Sequence, residues 1–316
     1  MGKYVFRRLL LMIPVLLGVS FIIFAIMNMT PGDPAMMILG EGAPAEALAA
    51  KRAELGFNSP FIIRYFHYLL DAFRGNFGHS YRTGIPVVSE IQTRIGYTVL
   101  LSVISICLAV LIGLPIGIVS AVKQYSITDQ LSIGISLIVT SMPGFFMAML
   151  LILMLSLKLG LLPPMGVNTW VNFIMPSIAL SSSTTASLIR MTRSTMLEVI
   201  RQDYIRTARA KGASERLVVY HHALRNALLP VVTVIGVNFG QALGGAIAIE
   251  QVFAIPGIGQ LMINSIRQKD MPMVMAAVIF AAFIASMINL LVDLLYSFID
   301  PRLSSQFSSK KQKVKG

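Results

Sequence analysis

An all-α, polytopic membrane fold is what this sequence predicts, on three observations. Of its 316 residues 55% are hydrophobic and 13% charged, where soluble domains carry about 25% charged residues. Its mean hydropathy is +0.75. Six stretches hold no Lys, Arg, Asp or Glu over lengths that suit a bilayer crossing, which takes about 20 mainly apolar residues per helix.

The first stretch, Leu9 to Gly32, follows Lys3, Arg7 and Arg8, so it invites comparison with a secretion signal. A signal's apolar region is about 7 to 15 residues and ends at small residues, whereas this one is longer and leads into "TPGDPAMM". It is read as a span. "MGKYVF" has no Ser or Thr at its sixth position, which argues against N-myristoylation. The second to sixth stretches are Ile95 to Val122, Gln130 to Leu157, Leu159 to Ile189 (apolar from about Val171), Asn226 to Ile249 and Met271 to Val292. The lone Cys107 falls within the second, so no disulfide framework is expected.

Orientation follows from the basic residues. Six spans put both termini on one side, together with the loop around Lys123 and the loop from Arg190 to Arg225; that side collects seventeen of the 26 Lys and Arg. The positive-inside rule makes it cytoplasmic. The segment from Pro31 to Arg94 is then external and balances six basic with six acidic residues. The net charge of +12 is largely a matter of topology and gives no support to nucleic-acid binding.

The chain lacks the Gly-rich phosphate loop, the H-E-x-x-H pair and any Cys/His metal spacing, so no catalytic or metal-binding residue is assigned. Ion-coupled transporters place ionisable groups at membrane depth, but Asp293 is the only charge well inside a hydrophobic run, two turns before "DPR". In the fifth span Gly236, Gly240 and Gly244 form a small-residue stripe suited to close helix packing. Asn238 and Gln241 share a different face, where they either line a path for solute or bond to neighbouring helices. The "SSSTTAS" run of the fourth span, with Ser182 and Thr185, admits the same two readings, and back-bonding to its own helix favours packing.

The segment from Tyr204 to Pro230 carries five Lys or Arg and two His against one Glu. "TARAKGAS" within it has no large apolar residue, so it is a poor membrane-surface helix. Small side chains suit a short helix entering another protein's groove, with Arg206, Arg209 and Lys211 at the edges for acidic partners and Gly212 ending the helix.

"DYIRTARAKG" followed by "HALRNALLP" resembles the EAA loop of permease subunits of ABC importers of the dipeptide, oligopeptide and nickel class. So do, in order, "TPGDP", "GNFGHSYRTGIPV", "LGLLPP", "LGGAIAIEQVFAIPGIGQL" and "LLVDLLYSFIDPR". The resemblance implies the type I importer transmembrane fold and makes Tyr204, Arg206, Thr207, Ala208, Arg209, Ala210, Lys211 and Gly212 the coupling helix and its turn. The long external segment is similar to that of the first of the two permeases in such systems. A second permease, two cytoplasmic ATPases that bind ATP and Mg, and an external substrate-binding protein are implied as partners. No cofactor is then expected in this chain, which would itself be no enzyme.

The expected organisation is an N-terminal tail and first span (1–30), an external segment (31–94), a five-helix permease core (95–302) with its coupling loop at about 191–228, and a basic tail (303–316). The host membrane is expected to be a bacterial or archaeal plasma membrane. The cargo implied is a di- or oligopeptide, with a nickel chelate, glutathione or an oligosaccharide as alternatives; a secondary transporter, a passive channel or a membrane scaffold are the readings from other classes.

Overall fold

A computed structural model describes the backbone of residues 2–299 and the side chains of residues 5–292 and 294. The tail 303–316, the "DPR" motif and the side chain of Asp293 lie outside the described residues. Among the described residues the regular structure is helical, and the one β-type pairing is an isolated bridge between His79 and Pro86.

Among the described residues four helices are long and apolar enough to cross a membrane. These are α1 (Gly2–Met29), α5 (Val87–Val122), the helix formed by α10 (Glu215–Leu217), a wide π turn (Val218–Ala223) and α11 (Leu224–Val252), and α13 (Met271–Ile299). Pro14, Pro115 and Pro230 sit inside three of them, a position that neighbouring groups make tolerable within a membrane. The second begins eight residues before the expected Ile95.

The third stretch is not one straight rod. Pro143 disfavours helical backbone at the residue before it, and Met142 is extended at φ −92°, ψ 127°. Helix α6 (Ile127–Ser141) therefore meets α7 (Gly144–Leu151) and its π continuation (Ile152–Lys158) at 105°. Counted as a single broken span, this pair brings the total to five.

The fourth stretch differs more. Residues 159–169 are irregular, a single 3₁₀ turn covers Trp170–Phe173, and α8 runs from Ile174 to Ile200. Its hydroxyl-rich run and Arg190 make it too polar to qualify as a lipid-facing rod. Its environment explains how it tolerates this polarity: within the unit whose described residues are 2–6, 99–255 and 285–299, α8 packs against α5, α6, α7 and α11. Met175, Ala179, Leu188 and Met196 are wholly buried. A helix enclosed by protein need not be apolar on every side.

The other unit comprises residues 7–98 and 256–284. In its 31–94 segment three short helices form: α2 (Pro34–Leu39), α3 (Ala45–Glu54) and α4 (Phe61–Phe73). Asp33 caps α2 by accepting from the Ala35 amide at 3.0 Å, with Pro34 at the first helical position. Arg52 of α3 pairs with the same carboxylate. Amphipathic α4 buries Tyr65 against Phe24 and Met275, and its hydroxyl donates to the Leu17 carbonyl at 3.0 Å. After α12 (Ile258–Arg267), buried Asp270 accepts from the Ser80 hydroxyl and, at 3.1 Å, from the Tyr81 amide. Loop 76–86 is thereby tied to the start of α13. Burial, with a smaller contribution from the charge of Asp270, pushes the Tyr81 phenol up to about 12.

Candidate functional site

The basic segment folds as a bracket. Asp203 stands in the first turn of α9 (Asp203–Ala210), where the helix dipole favours an acid. Ile205, the helix's one large aliphatic residue, is fully buried against Val218, Val219, Met196 and Ala223. Gly212 takes φ 83°, a left-handed conformation that glycine enters without steric cost and that commonly ends a helix. Ser214 then caps α10 by accepting from the Leu217 amide. Asn226 Nδ2 donates to the Tyr204 hydroxyl at 3.0 Å, closing the bracket at its other end.

What α9 presents outward is Tyr204, Arg206, Thr207, Arg209, Ala210 and Lys211, with Gly212 at the turn. Ala208 is different: half-buried, it packs on the bracket's own core. Arg209 is also committed, donating through Nε to Glu215 Oε1 at 2.7 Å and through Nη2 to Oε2 at 3.3 Å. Sequence reasoning offered its charge to an acidic partner; here that charge instead staples α9 to α10 across the Gly212 turn. Arg206 lies 3.7 Å from Asp203, both exposed, and is the freer cation.

The glycine stripe divides. A Cβ at Gly236 would come within 2.0 Å of Val292 Cγ1, and one at Gly240 within 3.0 Å of Asn289 Oδ1, so these two positions meet α13 closely. Gly244 has nothing within 4 Å. Asn238 Nδ2 bonds back to the Val234 carbonyl of its own helix at 2.8 Å, and Gln241 is exposed. Ser182 and Thr185 likewise bond back, to Ala179 and Ser181 carbonyls. The four polar side chains are thus not gathered around a common point by bonds to one another.

Two features escaped the sequence reading. A Cβ at Gly113 would lie 2.9 Å from Leu188 Cβ, and one at Gly117 would lie 2.6 Å from Thr192 Cβ and 2.9 Å from the Ile189 carbonyl. The G-x-x-x-G spacing in α5 was the signal for this close crossing with α8. The second is a carboxylate clamp: Asp129, 1% exposed at the start of α6, takes Arg193 Nε at 2.6 Å and Nη2 at 2.9 Å. It also accepts from the Ser120 hydroxyl and, at 2.9 Å, from the Tyr125 amide. Nothing in local sequence links residues 64 apart, so this pair was not legible.

These elements define a class: a multi-pass, helical membrane protein with a structured basic bracket between two of its long helices. The profile of the family described as binding-protein-dependent transport system inner membrane component matches residues 113–305, and that of its N-terminal part matches residues 1–102. The chain belongs to this family. It is 42% identical to the dipeptide transport system permease protein DppB of Alkalihalophilus pseudofirmus, over 96% of this chain and 99% of that one. It is 41% identical to the glutathione transport system permease protein GsiC of Escherichia coli K12, again over 96% and 99%. Among solved structures, an inward-facing conformation of the MetNI methionine ABC transporter superposes with a TM-score of 0.57 at 19% identity, over 67% of this chain and 96% of that one. That likeness concerns the fold.

Proposed function

We propose that this chain is the permease of an ATP-driven importer of short peptides. The observation that carries the proposal is the end-to-end likeness to two permeases whose named cargoes, a dipeptide and glutathione, are both small peptides. In this reading the chain crosses a bacterial or archaeal plasma membrane six times, the bent α6–α7 pair counting as the third crossing and α8 as the fourth. Both termini are cytoplasmic, which leaves 31–94 outside and makes 95–302, with the bracket at about 191–228, the transport core.

The partners are a second permease, two cytoplasmic ATPases that hold ATP and Mg, and an external binding protein. The outward surface of α9, formed by Tyr204, Arg206, Thr207, Ala210, Lys211 and the Gly212 turn, docks on one ATPase. Ala208 supports that surface from within, and Arg209, exposed but paired with Glu215, braces its edge. Asn238, Gln241, Ser182 and Thr185 remain the proposed polar positions of the solute path, the exposed Gln241 directly and the other three when their back-bonds exchange for solute or water. Nucleotide-driven closure of the ATPases moves α9, and the bound external protein shifts the balance only by preferring one of the two states. The chain itself performs no covalent step.

The test is a bulky substitution at an outward-facing small residue. Ala210→Trp in the complete complex should abolish peptide import while leaving ATP hydrolysis and the melting temperature at parental values. Import at the parental rate would refute the docking assignment. Ala208→Trp is the poorer choice, because it would also disturb the packing around Ile205.

A further inference from the structure

Loop 76–84, α3, α4 and the first turn of α13 enclose a half-open cavity of about 1010 Å³. Small-ligand sites run to roughly 300–1,000 Å³, so this one is large enough for a peptide of a few residues. One face of α4 supplies Arg64, Tyr68 and Asp71, spaced i, i+4, i+7 along the helix, and the loop supplies Arg82.

The Arg64 guanidinium is held in place: Nη2 donates to Asn28 Oδ1 at 2.7 Å, and its carbon lies 4.7 Å from the Phe57 ring centre. Yet its Nε is buried with no acceptor among the described residues, and the Tyr68 hydroxyl is in the same condition. Burial pushes the Tyr68 phenol up, so it stays a donor at neutral pH. Arg64 and Tyr68 both line the cavity, and each carries a donor buried in its wall without an acceptor; a carboxylate drawn in between the two side chains would supply one.

Arg82 and Asp71 are exposed, and their side chains make no hydrogen bond or ion pair among the described residues. Lys51 and Glu54 also line the cavity but neutralise each other at 2.7 Å. The available charges are therefore cationic toward Arg64 and Arg82 and anionic at Asp71. Arg64 and Asp71 are seven residues apart, about 10 Å along the helix. Three extended residues span about the same distance.

We propose that this cavity binds a short peptide with both termini free, its C-terminal carboxylate held by Arg64, Tyr68 and Arg82 and its ammonium by Asp71. The choice of a peptide as ligand rests on the import reading above; the charge pairing belongs to the cavity itself. On the orientation proposed, the site lies outside the membrane.

The test uses the full chain with its partner subunits in lipid nanodiscs, without the external binding protein, titrated with trialanine. Saturable binding is expected, weakened at least about tenfold by Arg82→Gln or by amidating the peptide's C-terminus, and comparably by Asp71→Asn or by N-acetylation. Within each matched pair the two losses should not add. Neither variant removes a bond within the fold, so both should melt as the parent does.

A flat titration of the parent, or binding indifferent to both substitutions, overturns the proposal. So does a variant that loses affinity for the loaded external protein while trialanine binding is unchanged, which would give the cavity to a protein partner. Peptide import by the complete system beside a flat titration removes this site alone; trialanine binding without import removes the import reading alone.

Discussion

Replacing Arg193 by Met removes the cation from a carboxylate that has almost no exposed surface of its own. Asp129 is 1% exposed and receives two of its hydrogen bonds from that guanidinium. Met keeps most of the side-chain stem, so the substitution isolates the charge. Breaking a buried pair from one side costs about 3–5 kcal/mol. The Arg193 side chain is 21% exposed, which lets water reach its half of the pair, and the Ser120 hydroxyl and Tyr125 amide still bond Asp129. The lower end, about 3 kcal/mol, is therefore expected. At roughly 2–4 °C per kcal/mol this corresponds to a melting temperature lower by about 6–12 °C. The assay is thermal unfolding of the purified chain in detergent, followed by the change in helical circular dichroism. The double variant Asp129→Asn with Arg193→Met removes both charges, and it should recover most of the loss. An Arg193→Met protein that melts within about 2 °C of the parent, or a double variant no better than the single, would refute the reasoning.

Close crossings should discriminate among glycines: Gly117→Ala pushes a methyl against the Ile189 carbonyl and Thr192 Cβ and should cost about 1–3 kcal/mol, whereas Gly244→Ala, with nothing within 4 Å, should melt at or slightly above the parent. Thermal unfolding of the two variants side by side checks this; equal losses would argue against the α5–α8 contact. In the 31–94 segment the Arg52 guanidinium holds the Asp33 carboxyl below its ordinary value of 3.8. A depressed folded value means stabilisation that is present above the unfolded value and fades as pH falls through the folded one. The pair is open to water, so its contribution to stability is small. Protease resistance of the segment should fall as pH drops below about 4, and Arg52→Gln should lower resistance at pH 7 and flatten that fall. An unchanged acid profile in the variant would dismiss the cap–arginine link.

Legibility followed exposure to lipid. Helices α1, α5, α11 and α13 are long and apolar with much of their surface left exposed by this chain, and hydropathy finds what lipid selects. Helix α8 is surrounded by protein, so its serines, threonines and Arg190 are no obstacle, and a lipid criterion loses it. The bend at Met142 was written locally in Pro143, but an uninterrupted apolar run masked it. Within the bracket, the small-residue surface and the Gly212 turn could be read because both are local chain properties. The inward turn of Ala208 and the Arg209–Glu215 staple could not, since they depend on which face of α9 Ile205 drives into the core. Asp129 and Arg193 meet only once α6 lies along α8, and no spacing rule reaches that far.

The unbroken run from Glu215 to Val252 has a mechanical meaning. Thirty-eight helical residues, with a π turn near their start and Pro230 among them, extend for about 57 Å, and α9 is wedged onto their base through Ile205 against Val218 and Val219. A push on α9 therefore enters this helix at one extremity rather than being absorbed in a slack loop. Rotating such a helix by about 5° around its base swings its far tip by about 5 Å. A nudge too small to unseat a single buried side chain at the bottom becomes, at the top, a displacement comparable to the width of a peptide backbone.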